Sequence, residues 1–444
     1  MAMGVADTIM VGHYASVDLA AVALGHVYFF LVAIFGLGTL MALDPLVSQA
    51  YGARDHEAVA RWLQRGLVLS VALAILAAAA LIPAGPILRA LGQPPDVVPV
   101  AAAYALVSIP GLPAFFFFVV FRQTLQALGR LRPIVWTIVG ANLLNLFLNW
   151  VLIYGNLGMP DMGAVGSGWG SSLARWFMAA LLLGLAWPLL RPYLRPLRKD
   201  VGRWVPLRRM AALGAPIGVQ LQLEFGSFAA IAVLMGWLGT VAVAGHQVAM
   251  NLAALAFMVP IGIAAAAAVL VGRAVGEGDP AAARRSAAAS LLVCAGFMGV
   301  TAAVLVGAPD LLARAYTSEP EVVALAASLL PIAAVFQLSD GLQGVAAGIL
   351  RGSGDTRSPL VVHLVGLWLF GLPVGYILGF PMDRGASGLW WGLAVGLTAV
   401  ALLLLWRVRS RLLGALRRVE LEPAAGPEPG PTDPPEPPLR RPSA

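Results

Sequence analysis

Of 444 residues only 11% are charged and 59% are apolar, whereas a soluble surface is covered by about a quarter charged residues. Most of this chain's surface must therefore lie in lipid, as its mean hydropathy of +0.84 also demands. One cysteine, Cys294, excludes a disulfide framework and any cysteine-based metal site, and the net charge of +7 would imply a nucleic-acid partner only if the basic residues were gathered on one soluble face.

About 20 apolar residues cross a bilayer. Residues 1–12 are apolar but too few for a crossing. Windows without Asp, Glu, Lys or Arg follow at 19–43, 66–88, 97–121 and 133–160, and 162–190 is broken only by Arg175. The uncharged stretch 210–223 runs into Glu224. The window 225–272 then has room for two helices, with Gly236, Gly239 and Gly245 offering the turn. Further windows lie at 286–309, at 322–350 (broken only by Asp340), at 358–382 and at 385–406. The pattern predicts a fragment plus eleven spans, with a long second helix over 18–50 that carries Asp44.

All but four of the 29 Lys and Arg fall in the loops after even-numbered spans or in the tail. Arg89, Arg314 and Arg384 lie on the other side, and Arg175 lies inside a span. Positive charge marks the cytoplasmic side, so the basic excess is a topology signal and the nucleic-acid reading falls away. The expected organisation is an N-terminal six-helix lobe over 1–190, a basic cytoplasmic linker over 191–209 and a C-terminal six-helix lobe over 210–418. A disordered, Pro-rich cytoplasmic tail over 419–444 completes it. The first lobe lacks most of its first helix, so the functional protein is expected to begin some 15–25 residues upstream, roughly what completes one span.

The chain repeats itself. The segment Ala50-Tyr51-Gly52-Ala53-Arg54-Asp55 resembles Ala274-Val275-Gly276-Glu277-Gly278-Asp279. Gly129-Arg130-Leu131-Arg132-Pro133 echoes Gly354 to Pro359, and Gly163-Ala164-Val165-Gly166 echoes Gly385-Ala386-Ser387-Gly388. Three matches in the same order, at nearly one offset, indicate two homologous halves in parallel orientation, the architecture of alternating-access transporters.

Carboxylates in a bilayer core are expensive and mark functional sites. Asp7, Asp44, Glu224 and Asp340 qualify. Asp44 precedes Pro45 near a helix end and is read as structural. Gln220 with Glu224, Asn145 with Asn149, and Gln247 with Asn251 share helix faces at i, i+4, and Gln337 with Asp340 at i, i+3. For the amides, interhelical hydrogen bonding is as good a reading as ligand contact. His26, His246 and His363 are read as packing or hydrogen-bonding residues, and Arg175 as the partner of an acid or a residue reaching the interface. Carboxylate, amide and hydroxyl oxygens suit a hard cation or a proton.

Met3-Gly4-Val5-Ala6-Asp7-Thr8, followed by Asp18-Leu19-Ala20-Ala21, resembles the first-helix motif of the multidrug and toxic-compound extrusion (MATE) transporters. Ser48-Gln49-Ala50-Tyr51-Gly52, Asn142 to Asn149, Gln222-Leu223-Glu224 and Phe336 to Gly341 with Leu350-Arg351-Gly352 are similar to their second, fifth, seventh and tenth helices. The Glu224 and Asp340 pair points to the NorM-like branch. The resemblance implies an all-α membrane protein of two six-helix bundles related by a pseudo-two-fold. It implies a multi-pass inner-membrane antiporter, not an enzyme, exporting organic cations in exchange for Na⁺ or H⁺, without a cofactor and as a monomer. Asp7, Glu224 and Asp340 would serve cation coupling, Na⁺ binding included. Asn145, Asn149, Ser171, Gln220, Gln337, Gln247 and Asn251 would line the cavity. A lipid-linked saccharide flippase is the alternative. It needs several intramembrane cations for a diphosphate, and only Arg175 qualifies.

Overall fold

A computed structural model describes residues 2–419 and is built of helices. Residues 420–444, where the sequence predicts a disordered tail, lie outside the described residues. The first half holds α1 (Ala2–Gly12), α2 (Ser16–Leu40), α3 (Leu43–Gly52), α4 (His56–Leu81), α5 (Ala84–Ala90), α6 (Val97–Ser108), α7 (Gly111–Ala127), α8 (Arg132–Tyr154), α9 (Gly163–Leu185) and α10 (Trp187–Leu194). The second holds α11 (Trp204–Trp237), α12 (Thr240–Glu277), α13 (Pro280–Gly307), α14 (Pro309–Arg314), α15 (Pro320–Gly352), α16 (Arg357–His363), α17 (Leu372–Gly379) and α18 (Gly385–Leu413).

Among the described residues nine helices are long and apolar enough to cross a membrane, or eleven when two bent pairs each count as one span. Together with α1 this is the fragment plus eleven spans expected from the charge-free windows. The bends have local causes. Pro110 separates α6 from α7, which meet at 50°, and Pro188 opens α10, which leaves α9 at 87°. The two helices expected within 225–272 turn at Gly239, where φ is +109°, while Gly245 stays helical.

The buried apolar side chains gather into two large clusters, one drawn from residues 29–210 and the other from 231–412. The halves meet through α2 with α11 and through α3 with α12 and α15. At the second contact the backbones nearly touch. A Cβ at Gly276 would collide with the Gln49 carbonyl. Asp44 and Arg351, both buried, form an ion pair of 2.9 Å across the same seam. Gln49 donates to the Gly352 carbonyl at 2.9 Å and accepts from the Val419 amide at 2.7 Å. The seam closes the end of the molecule that carries the basic loops.

The segment between the halves is fastened to α4. The Gln64 amide donates to the carbonyls of Tyr193 and Pro196 and accepts from the Arg198 amide, and buried Arg65 pairs with Asp200 at 2.9 Å. The repeat is visible in the backbone as well as the sequence. Left-handed residues recur in all three matched segments: Arg54 (φ +57°) with Gly278 (+71°), Gly129 (+72°) with Gly354 (+83°), and Gly163 (+51°) with Gly385 (+54°).

Candidate functional site

Two buried carboxylate clusters stand out, one in each half. In the first, α1 carries Asp7 against α8 and α9. Asp7 is 1% exposed in the midst of apolar helices, so its oxygens need donors. Asn149 Nδ2 donates to one oxygen at 2.6 Å and Ser171 Oγ to the other at 2.7 Å. Asn145 Nδ2 reaches Ser171 Oγ at 3.4 Å. The i, i+4 spacing of Asn145 and Asn149 presents both on one face of α8. Ser171, not Ser172, is the serine of this cluster, since Ser172 donates to the Val107 carbonyl. Arg175 lies one turn after Ser171, buried, with its guanidinium 4.1 Å from the Phe29 ring and its charge felt at Asp7.

In the second half α11, α15 and α16 converge. Gln343 is fully buried, and its Nε2 donates to Glu224 Oε1 at 2.9 Å and to Asp340 Oδ1 at 3.1 Å. One amide therefore holds two carboxylates from two helices. Gln343 Oε1 faces His363 Nε2 at 2.8 Å, and His363 Nδ1 lies 2.7 Å from the Pro359 carbonyl oxygen. Glu224 Oε2 is 3.7 Å from His363 Nε2. Immediately after His363 the chain runs as a π-helix over Leu364–Gly371, from which Trp368 Nε1 donates to the Leu223 carbonyl at 3.0 Å.

The other polar residues expected at the site divide. Gln337 does not join Asp340. It is buried against α13, donating to Thr301 Oγ1 at 3.3 Å with Met298 beside it. The i, i+3 spacing does not itself choose the partner, since Asp340 bonds at that same spacing in the other direction, to Gln343. Gln220 is buried one turn before Glu224 and takes no part in the Gln343 hydrogen bonds. Gln247 and Asn251 are exposed and bond to each other at 3.2 Å. No three His, Cys, Asp or Glu converge on a common metal position among the described residues, so Asp7 does not share one ion site with Glu224 and Asp340. Asp44, read as structural, pairs with Arg351. His246 accepts from Trp390 Nε1 at 3.2 Å in the second core.

Gln343 and His363 were not among the candidates. The spacing of Gln343, three residues after Asp340 on an apolar helix, was an available signal. His363 had none, because its partners come from two other helices.

The family model MatE matches residues 1–151 and 216–377. The chain is 35% identical over 419 residues to the multidrug resistance protein MdtK of Cronobacter sakazakii, covering 92% of this chain and 91% of that one. Its fold is that of the eukaryotic MATE transporter AtDTX14, with a TM-score of 0.83, 24% identity and 93% of each chain covered. It also resembles a MATE transporter in its bent conformation, with a TM-score of 0.82, 20% identity, and 93% of this chain and 91% of that one covered. The chain belongs to the MATE family and is an integral membrane protein of the twelve-helix MATE architecture.

Proposed function

We propose that this protein is a secondary antiporter that exports cationic, amphiphilic compounds in exchange for Na⁺ or H⁺ by alternating access. The relative named as a multidrug resistance protein supports drug export, and the buried acids favour cationic compounds. The observation that carries the coupling is the pair Glu224 and Asp340, two carboxylates from different helices bridged by one buried amide. Two like charges held by a single donor are poised to take up a cation between them, and a proton or Na⁺ serves equally. Asp7 offers a second acidic site. The buried Oδ1 atoms of Asn145 and Asn149, which lack hydrogen-bond partners, add oxygens that suit a hard cation.

The seam through Asp44, Arg351 and Gln49 closes the end with the basic loops. The placement of Lys and Arg argues that this end is cytoplasmic, so the seam seals the cytoplasmic side in this conformation. The protein then sits in the inner membrane as a monomer of two lobes, 1–190 and 210–418, with the linker 191–209 and the C-terminus in the cytoplasm. A lipid-linked saccharide flippase finds less support, because the buried side chains beside the candidate sites are acidic or neutral apart from Arg175 and His363.

The test is efflux of ethidium, a cationic dye, from proteoliposomes under separately imposed Na⁺ and pH gradients. Transport driven by one gradient and not the other names the coupling ion. Dye movement that follows neither gradient overturns the antiport reading. A cysteine placed at Lys199 should be labelled from the cytoplasmic face only, and labelling from outside intact cells would reverse the topology.

A further inference from the structure

The hydrogen-bond chemistry around Gln343 defines a role for His363. A carboxylate accepts and does not donate. While Glu224 and Asp340 are ionised, the Gln343 nitrogen therefore faces them, which turns Oε1, an acceptor, towards His363. The imidazole meets it with Nε2 at 2.8 Å, while Nδ1 meets a second acceptor, the Pro359 carbonyl, at 2.7 Å. The ring nitrogen that faces Oε1 is thus the one placed to donate to it. A donor at Nε2 permits only one orientation of the Gln343 amide, the one that serves both acids. Any residue without that donor leaves a fully buried carbonyl oxygen unpaired.

The backbone after His363 holds the ring in place. An i→i+5 helix brings residues five apart onto nearly the same face, so His363 and Trp368 both reach α11. Trp368 bonds the Leu223 carbonyl, and His363 lies beside the neighbouring Glu224. In an α-helix, at 100° per residue, the same two side chains would diverge. The π-helical turn thus docks this span onto α11 on both sides of the acid.

We propose that His363 is a positioning residue for transport, orienting the Gln343 amide so that it holds Glu224 and Asp340 together. The proposal rests on the coupling role given to those acids. Its test is gradient-driven ethidium transport by the full-length protein in proteoliposomes. His363→Leu and His363→Asn should lower the maximal rate about tenfold with KM nearly unchanged, the signature of an interaction used in turnover and not in ground-state binding. The Asn amide can reach the Pro359 carbonyl in place of Nδ1 but falls short of Gln343. His363→Gln puts an N–H where Nε2 stood and should retain at least about a third of the rate by remaking that bond. Gln343→Leu should fall as far as Asp340→Asn. The Asn and Gln variants, both polar and no larger than His, keep the comparison available if Leu impairs folding, which size-exclusion chromatography reports. Equal rates for Asn and Gln, or a full rate for Leu, overturn the proposal while leaving the coupling reading standing. Full rates in Glu224→Gln and Asp340→Asn overturn both.

Discussion

The two halves solve the problem of a buried carboxylate differently. Asp7 is a single acid surrounded by neutral donors, one to each oxygen, with a guanidinium one turn away along α9. Glu224 and Asp340 share one amide donor between two helices, with a histidine behind it. The first arrangement is satisfied by its own neighbours. The second concentrates negative charge on a single bridge, so it has more to gain from an arriving cation. Sequence-related halves have thus come to hold unlike sites, and this asymmetry predicts unequal roles in coupling.

The largest effect should come from the second half. Glu224→Gln and Asp340→Asn keep shape and remove charge, and each should bring gradient-driven ethidium efflux to background. Asp7→Asn should leave measurable coupled transport, lowered about tenfold, which is about 1.4 kcal/mol. Proteoliposome efflux measured side by side decides it. Complete loss in Asp7→Asn with partial loss in the other two would invert the comparison.

Next in size is the seam that joins the halves. Removing one member of a buried ion pair typically costs about 3–5 kcal/mol, because the other charge stays buried alone. Arg351→Met leaves Asp44 in that position, although Arg122, half-buried and close enough for its charge to act on Asp44, should hold the cost towards the lower end. The double variant Asp44→Leu with Arg351→Met should recover much of the loss in thermal stability of the detergent-solubilised protein. No recovery would mean that the pair contributes through its geometry at the seam, beyond its charge.

How far the sequence reveals these sites depends on what lipid penalises. The eleven spans were legible because a bilayer demands about 20 apolar residues and tolerates few charges, and the acids were legible for the same reason. The bends at Pro110 and Pro188 were not anticipated from the charge-free windows, which read each bent pair as one plain span. The neutral groups were harder to read. Gln337 and Gln343 sit three residues on either side of Asp340, and only the neighbouring helices decide that one turns to α13 and the other to the acids. His363 depends on a π-helical turn for which the run Leu364–Gly371 carries no polar signal. Charge placement is encoded locally, whereas hydrogen-bond partnership is set by packing.

A smaller effect tests the repeat itself. The loop before α4 puts Arg54 at φ +57°, where the loop before α13 has Gly278 at +71°. A non-glycine residue in the left-handed region costs roughly 1 kcal/mol. Arg54→Gly should therefore raise thermal stability slightly, and Gly278→Arg should lower it. Opposite signs in thermal melts would show that the Arg54 side chain contributes more than its backbone strain costs.

The smallest effect separates the two aspartates that follow these residues. Asp55 accepts from the Ala58 amide at 2.9 Å and Asp279 from the Ala282 amide at 2.8 Å, so each caps its helix, worth about 1 kcal/mol. Only Asp55 adds a close partner from the C-terminal end, Arg418 at 2.9 Å; Arg285 stands 3.7 Å from Asp279 and is largely exposed. Burial alone would push the Asp55 carboxyl up. The Ala58 amide and the Arg418 guanidinium outweigh it and hold the group below its ordinary value. A carboxylate lowered in the folded state contributes stability above its unfolded pKa of about 3.9 and loses it as pH falls through the folded value. With both partners about one-third exposed, the ion pair should be worth roughly 0.2–1 kcal/mol. Asp55→Ala should thus cost more than Asp279→Ala at neutral pH, Arg418→Ala should reproduce the difference, and the gap should close as the pH of the melt is lowered past about 3.9. Equal costs at neutral pH would show that the 414–419 segment does not fasten the halves and that the two caps remain as alike as the repeat that made them.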